Sequence, residues 1–150
     1  MAIEDRAVSV GFLRKFTDTW CATDPLVRTT RDVVNRVIKP KTKKSKARLV
    51  DLPGIREGGS WSYDRTDLAI DVPGIPALGH ADFMVSHSWD SDWYDLVAAL
   101  EAHRMRYNHR MQEASDAEPL EGFSSDEYTD EEAPPESDEP YYWIDILAIN

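Results

Sequence analysis

Ala81-Asp-Phe-Met-Val-Ser86 and Tyr141-Tyr-Trp-Ile-Asp-Ile-Leu-Ala-Ile149 are the stretches on which the fold turns. The first is a short apolar run suited to a buried strand. The second is nearly continuous in apolar and β-branched residues, the pattern of a central strand covered on both faces. Between them Trp93, Leu96, Val97 and Leu100 repeat at helical spacing, with Ala98, Ala99 and Ala102 adding helix propensity. His103, Arg104 and Arg106 suit the negative pole near the end of that helix. Ser88-Trp-Asp-Ser-Asp92 is a polar turn that offers several caps. A strand, a helix and a second strand after so long a crossover predict a parallel pair and an α/β fold.

Working outward, Val8, Phe12, Leu13, Phe16 and Trp20 fall on one face of a helix over 8–21. A second helix is expected from the cap at Thr29 and Thr30, with Val33, Val34, Val37 and Ile38 apolar and Pro40 forcing its end. Residues 49–52 suit a short strand. Pro53-Gly54 and Gly58-Gly59 mark a loop, and 68–72 suit an extended segment broken by Pro73 and Pro76. These residues, 1–80, read as a helical and irregular extension before a domain over 81–150.

The 150 residues carry 17 Lys and Arg against 28 Asp and Glu, a net charge of −11. Twelve of those acids lie between Glu113 and Glu139, where no Lys or Arg occurs; without them 17 basic residues face 16 acidic ones. So acidic a segment buries too little surface to offset its ordering entropy, so 113–140 is expected to be a disordered insertion. Within it Ser115, Ser124 and Thr129 each precede an acid by three residues, which makes them phosphorylation candidates for acid-directed kinases. An opposite block over 28–48 holds nine basic residues and one acid, Asp32. Its densest part, from Lys39 to Arg48, lacks interleaved aromatic residues, so a solvated loop is favoured over nucleic-acid binding. The single Cys21 excludes an internal disulfide and is expected in the core. No apolar run reaches membrane-spanning length and no signal peptide is evident, which predicts a cytoplasmic protein, with the nucleus as the alternative.

Phe83-Met-Val-Ser-His-Ser-Trp89 resembles the opening strand and loop of Toll/interleukin-1-receptor (TIR) domains. Together with Tyr142-Trp-Ile-Asp-Ile-Leu-Ala-Ile-Asn150 it also resembles the fungal heterokaryon-incompatibility (HET) domain. There, a strand ending in Ser-His-x-Trp is followed by Trp-Ile-Asp, a hydrophobic stretch and Asn or Asp-Gln. The chain is most similar to the TIR/HET-like domains of algae and other protists, and Thr29-Thr30 through Ile38-Lys-Pro40 and Thr42 share in that similarity. The resemblance covers about 29–42 and 81–150. It departs from HET domains at Asp90, where glycine is usual, and the expected Gln after Asn150 is missing. It implies an incomplete TIR-like, flavodoxin-like parallel sheet, cut short after its second strand. The helix-borne glutamate with which some TIR domains cleave NAD has no counterpart, nor does the loop after the second strand that mediates TIR assembly.

In open parallel sheets ligands sit at the carboxyl ends of the strands. Ser86, His87, Ser88 and Trp89 belong there after the first strand, and Asn150 after the second. The serine hydroxyls suit ribose or phosphate oxygens, Trp89 suits stacking on a base, and His87 suits a phosphate or a proton. The alternative is that His87 and Trp89 only close the strand end. Asp145, an acid inside an expected buried strand, either orients a group of the site or pairs as structural support. A Ser86–His87–Asp145 triad is rejected, because adjacent residues of a strand point to opposite faces. No catalytic residue is assigned. His80, His103 and His109 lack metal-site spacing, and Asp64, Asp67 and Asp71 lack the glycine and distal Glu of a calcium loop, so no metal or cofactor is expected. NAD enters only as the substrate of a longer form.

Two functions follow as expectations. The first is a TIR-like signalling or protein-interaction module, with protein partners or self-association and no membrane or nucleic acid. The second is the N-terminal part of a TIR-type NAD hydrolase. A truncated product without independent function is the remaining outcome.

Overall fold

The computed structural model describes residues 2–52, 55, 77–116 and 139–148. They form helices and a small mixed sheet of four strands, an α/β arrangement in which Met84 of the sheet stays 78% exposed. The strands are β1 (Ala7–Ser9), β2 (Leu78–Gly79), β3 (Phe83–Val85) and β4 (Tyr141–Ile144), in the spatial order β2-β1-β4-β3. β3 and β4 run parallel with Phe83 opposite Tyr142, Met84 opposite Trp143 and Val85 opposite Ile144. The long crossover between them carries helix α3 (Trp93–Asp116). The sheet as a whole is not parallel. β1 lies antiparallel to both of its neighbours, Val8 opposite Leu78 on one side and Tyr142 on the other.

The boundary expected at residue 80 runs through this sheet and its core. β1 is buried along its length because it lies between two strands, and its Val8 joins Ile144, Leu147, Val97 and Trp93 in one apolar cluster. The N-terminal residues are therefore an integral part of the sheet. Gly79 is needed where it stands, since a Cβ there would lie 2.8 Å from the ring of Tyr141.

α1 (Val10–Phe16) starts one residue past β1. The Ser9 hydroxyl accepts the Phe12 N–H at 3.1 Å, an N-cap that turns the chain from strand to helix. The coil then widens to π winding over Thr17–Cys21. The helix expected over 8–21 begins only at Val10, since Val8 belongs to β1, but the rest of its apolar face is buried: Phe12, Phe16 and Trp20 follow one another at ring spacings of 6.0 and 5.4 Å. Cys21 is buried beside them, and burial pushes its thiol up to about 12. A disulfide-forming thiol probe near neutral pH is expected to leave Cys21 unmodified in the native protein and to label it fully in denaturant. Rapid labelling without denaturant would show that this part of the core opens easily.

Helix α2 occupies residues 30–42, opening as Thr30–Asp32, widening over Val33–Ile38 and closing as Lys39–Thr42. Pro40 does not end it. The wide turn bonds the Lys39 N–H to the Val34 carbonyl, and Pro40 then sits in a first helical turn, where no N–H is required. The helix closes when Lys46, at φ 50°, donates its N–H to the Thr42 carbonyl at 2.9 Å. Residues 49–52 form no strand. Leu49–Asp51 make a single 3-10 turn whose Leu49 and Val50 are buried.

α3 extends about ten residues beyond its expected end. Only Trp93, Val97 and Leu100 are buried in it, whereas Met105 is 71% and Met111 42% exposed. Its middle is held by the sheet: Phe83 packs edge-on against His103 and Tyr107, and Arg104 makes a two-pronged ion pair with Glu139 at 2.7 and 2.5 Å. Residues 113–116, expected to open the acidic insertion as disordered chain, are instead the last turn of this helix. The segments 53–54, 56–76 and 117–138, which contain the expected extended stretch 68–72, the candidate calcium loop and most of the insertion, lie outside the described residues.

Candidate functional site

The loop over 86–92 leaves the carboxyl end of β3 and is bound to the start of α2. The Trp89 carbonyl accepts the Arg31 N–H at 2.8 Å and the Ser91 carbonyl accepts the Thr30 N–H at 3.1 Å. The Trp93 N–H returns a bond to the Arg28 carbonyl at 2.8 Å, and Thr29 forms an isolated bridge with Asp92. The Thr29 hydroxyl accepts the Asp32 N–H while the Asp32 carboxylate accepts the Thr29 N–H, a complete capping box. Backbone N–H groups of Thr29 and Arg28 hold the Asp32 carboxyl below its ordinary pKa. The first amides of α2 are thus satisfied by the loop and its own cap. Outside this ladder the Arg31 guanidinium lies 5.9 Å from the Trp89 ring centre and donates to Asp90 at 2.9 Å.

Beside Trp89 is a cavity of about 270 Å³. Val34, Ile38, Lys39 and Thr42 of α2 line one side, Ala47, Arg48 and Leu49 the next, and Ile146 completes the wall. Trp89 follows β3 and Ile146 follows β4, so the cavity lies at the carboxyl edge of the parallel pair. The Lys39 ammonium donates to the Asn35 side-chain oxygen at 2.9 Å. Arg48 pairs through one terminal nitrogen with Asp51 at 3.1 Å. Its Nε is buried with no hydrogen-bond partner among the described residues. A neighbouring hollow shares Lys39, Thr42 and Ala47 and adds Asn35, Pro40, Lys43 and Lys46.

The expected site residues separate into distinct roles. Trp89 lines the cavity. Ser88 serves the turn, its hydroxyl accepting the Asp90 N–H at 3.3 Å and its carbonyl the Ser91 N–H at 3.1 Å. Ser86 is exposed. His87 is half-buried, and neither ring nitrogen has a partner among the described residues, an arrangement that costs free energy until something satisfies it. Asp145 is not inside a strand. β4 stops at Ile144, and Asp145 begins the turn α4 (Asp145–Ala148), its carboxylate accepting the Ile146 N–H at 2.7 Å. Ser115 is exposed on the last turn of α3, while Ser124, Thr129 and Asn150 lie outside the described residues.

Lys39, Thr42 and Arg48 are wall residues that reading along the chain assigned to a solvated loop. The available signal was the joint resemblance of 29–42 and 81–150, two separated stretches that pack together here. Compared with known proteins, the chain matches no family model, no curated protein and no solved structure.

Proposed function

We propose that the chain is a TIR/HET-like signalling or protein-interaction module that works by association with other proteins, including further copies of itself. The observation that carries this reading is the union of the two stretches of resemblance. Three backbone hydrogen bonds tie the loop after β3 and the start of α3 to the start of α2, so the Ser-His-Ser-Trp motif is held at the sheet edge by a fixed support. The parallel pairing of β3 with β4 through a helical crossover supports it further. A positioned loop on a rigid scaffold is the usual form of a recognition surface.

Sedimentation over a wide concentration range is expected to show reversible self-association that weakens in the loop variant Asp90→Arg. A protein that stays monomeric throughout would overturn self-association. Incubation with NAD is expected to release no nicotinamide. Release above a protein-free blank would replace this reading with the hydrolase one.

A further inference from the structure

We infer that the open edge of β3 takes up an extended peptide of a partner protein, one that alternates apolar and acidic side chains. The inference goes beyond the interaction reading, which concerns the loop after β3, and the two stand or fall separately.

The edge follows from the order of the sheet. β3 is an outer strand, and among the described residues no strand lies beyond it. The register decides which backbone groups it offers. The Ser9 N–H donates to the carbonyl of Ala77, just before β2, at 3.1 Å, so Val8 turns its own N–H and C=O to β4. Tyr142, opposite Val8, therefore turns toward β1, and Trp143 toward β3. In the parallel ladder Trp143 then bonds the backbones of Phe83 and Val85, which flank its register partner Met84. The Asp82 N–H also reaches the Tyr141 carbonyl, but from the bend that precedes β3. The N–H and C=O of Met84 are left facing outward. β3 reads Phe-Met-Val, without the Lys or Pro that commonly blunts an exposed edge.

Three residues offer few bonds, so side-chain sites must supply the rest of the affinity, and one lies on each face of the strand. On the α3 face Phe83 borders a hollow of about 470 Å³, lined also by His103, Arg106, Tyr107 and Arg110. Arg106 and Arg110 stand one helical turn apart, and the hollow they share reaches the strand at Phe83. Met84 points to the opposite face and borders a second hollow, of about 370 Å³, with Ile3, Ala81 and Trp143. Glu4 and Asp82 also line this one and disfavour an acid on that side.

This juxtaposition selects the partner. A strand added to β3 points successive side chains to alternate faces. Those on the α3 face meet two guanidinium groups, which suit carboxylates. Those on the other face meet Met84 and Trp143, which suit apolar groups. A uniformly acidic peptide would set carboxylates against Glu4 and Asp82. A second copy would offer the arginines another Phe-Met-Val strand and no acid. Alternation of apolar and acidic residues satisfies both faces.

Fluorescence anisotropy of the full chain with a short labelled peptide of alternating valine and glutamate tests the inference. This peptide is expected to bind at least about tenfold more tightly than one with lysine in place of glutamate, and more weakly as salt rises. N-methylation of one alternate set of its amides is expected to weaken binding by about tenfold or more, and of the other set to leave it nearly unchanged, because only one set faces β3. Reversing both charges in the double variant Arg106→Glu and Arg110→Glu, at exposed positions, is expected to move the preference to the lysine peptide and leave the thermal melt unchanged. Equal effects of the two methylations would overturn strand addition, and an unchanged preference in the charge-reversed variant would overturn the arginine side. Displacement of the peptide as the protein's own concentration rises would give the edge to a second copy and overturn the proposed partner. Absence of binding up to about 1 mM would overturn the site as a whole. The peptide can bind a chain that stays monomeric, and self-association sensitive to Asp90→Arg can occur without it, so this inference and the interaction reading fail independently.

Discussion

Replacing Trp93 by alanine is expected to cost about 3–5 kcal/mol, a large part of the stability of a small domain. Trp93 opens α3 and is completely buried. Its ring meets Phe16 edge-on at 6.0 Å, joining the aromatic row of α1 to the crossover helix. Its indole N–H donates to the Thr17 hydroxyl at 3.0 Å, within the widened part of that same helical segment. Truncation would leave a cavity between two elements that share no sequence proximity. Trp93→Phe keeps most of the apolar contact and loses the hydrogen bond, so about 1–2 kcal/mol is expected. Urea unfolding of both variants measures this. A loss below about 1 kcal/mol for the alanine variant would mean that α1 and α3 are not coupled through this ring.

The second large effect centres on Tyr142. This residue is buried in β4, stacked on Phe83 at 5.6 Å, with its hydroxyl 2.7 Å from His103 Nδ1. Tyr142→Ala is expected to cost about 3–5 kcal/mol, since it removes a ring from the middle of the sheet. Tyr142→Phe is expected to cost about 1 kcal/mol. The phenylalanine variant also carries a pH signature. Burial, with the nearby Glu139 charge, pushes the Tyr142 phenol up to about 12 from its ordinary 10.0. The unfolded chain therefore gives up this proton first, and unfolding becomes easier as pH rises from about 10 towards 12. Cys21, also raised by burial, adds to the loss in the same direction from about pH 9 upward. Tyr142→Phe should lose stability less steeply than the parent between about pH 10 and 12. Equal slopes would show that the phenol is not protected from ionisation by the fold.

What could be read along the chain was whatever announces itself by period. The apolar runs marked β3 and the start of β4, although Met84 of β3 is exposed, and the helical face from Phe12 to Trp20 and that of α2 are buried as expected. β1 and β2 were not legible. Three and two residues are too short to show a period, and Val8 also fitted the helical face that follows it. The apolar run after Ile144 is equally compatible with strand and helix, and only the tertiary setting makes Asp145–Ala148 a helical turn. The far half of α3 has almost no apolar face, so its length depends on propensity and on the distant Glu139. At the site, Trp89 was visible because it follows an apolar strand run, at the edge where ligands of parallel sheets sit. Its cavity partners Lys39 and Arg48 were not, because their meeting with Trp89 depends on tertiary contacts such as the bond from the Arg31 N–H to the Trp89 carbonyl.

The pairing of Val8 with Tyr142 has a kinetic meaning. The central contact of the sheet spans most of the sequence, and local helix formation cannot substitute for it. During synthesis β1 leaves the ribosome without the strand it will lie against, and its apolar side chains must wait until residue 142 has been added. Such a chain closes its sheet late, in a single cooperative step governed by loop-closure entropy, and it is slow to fold for its size. Until that step an early-made apolar segment stays exposed, which makes the nascent chain a natural client for chaperones that hold apolar segments.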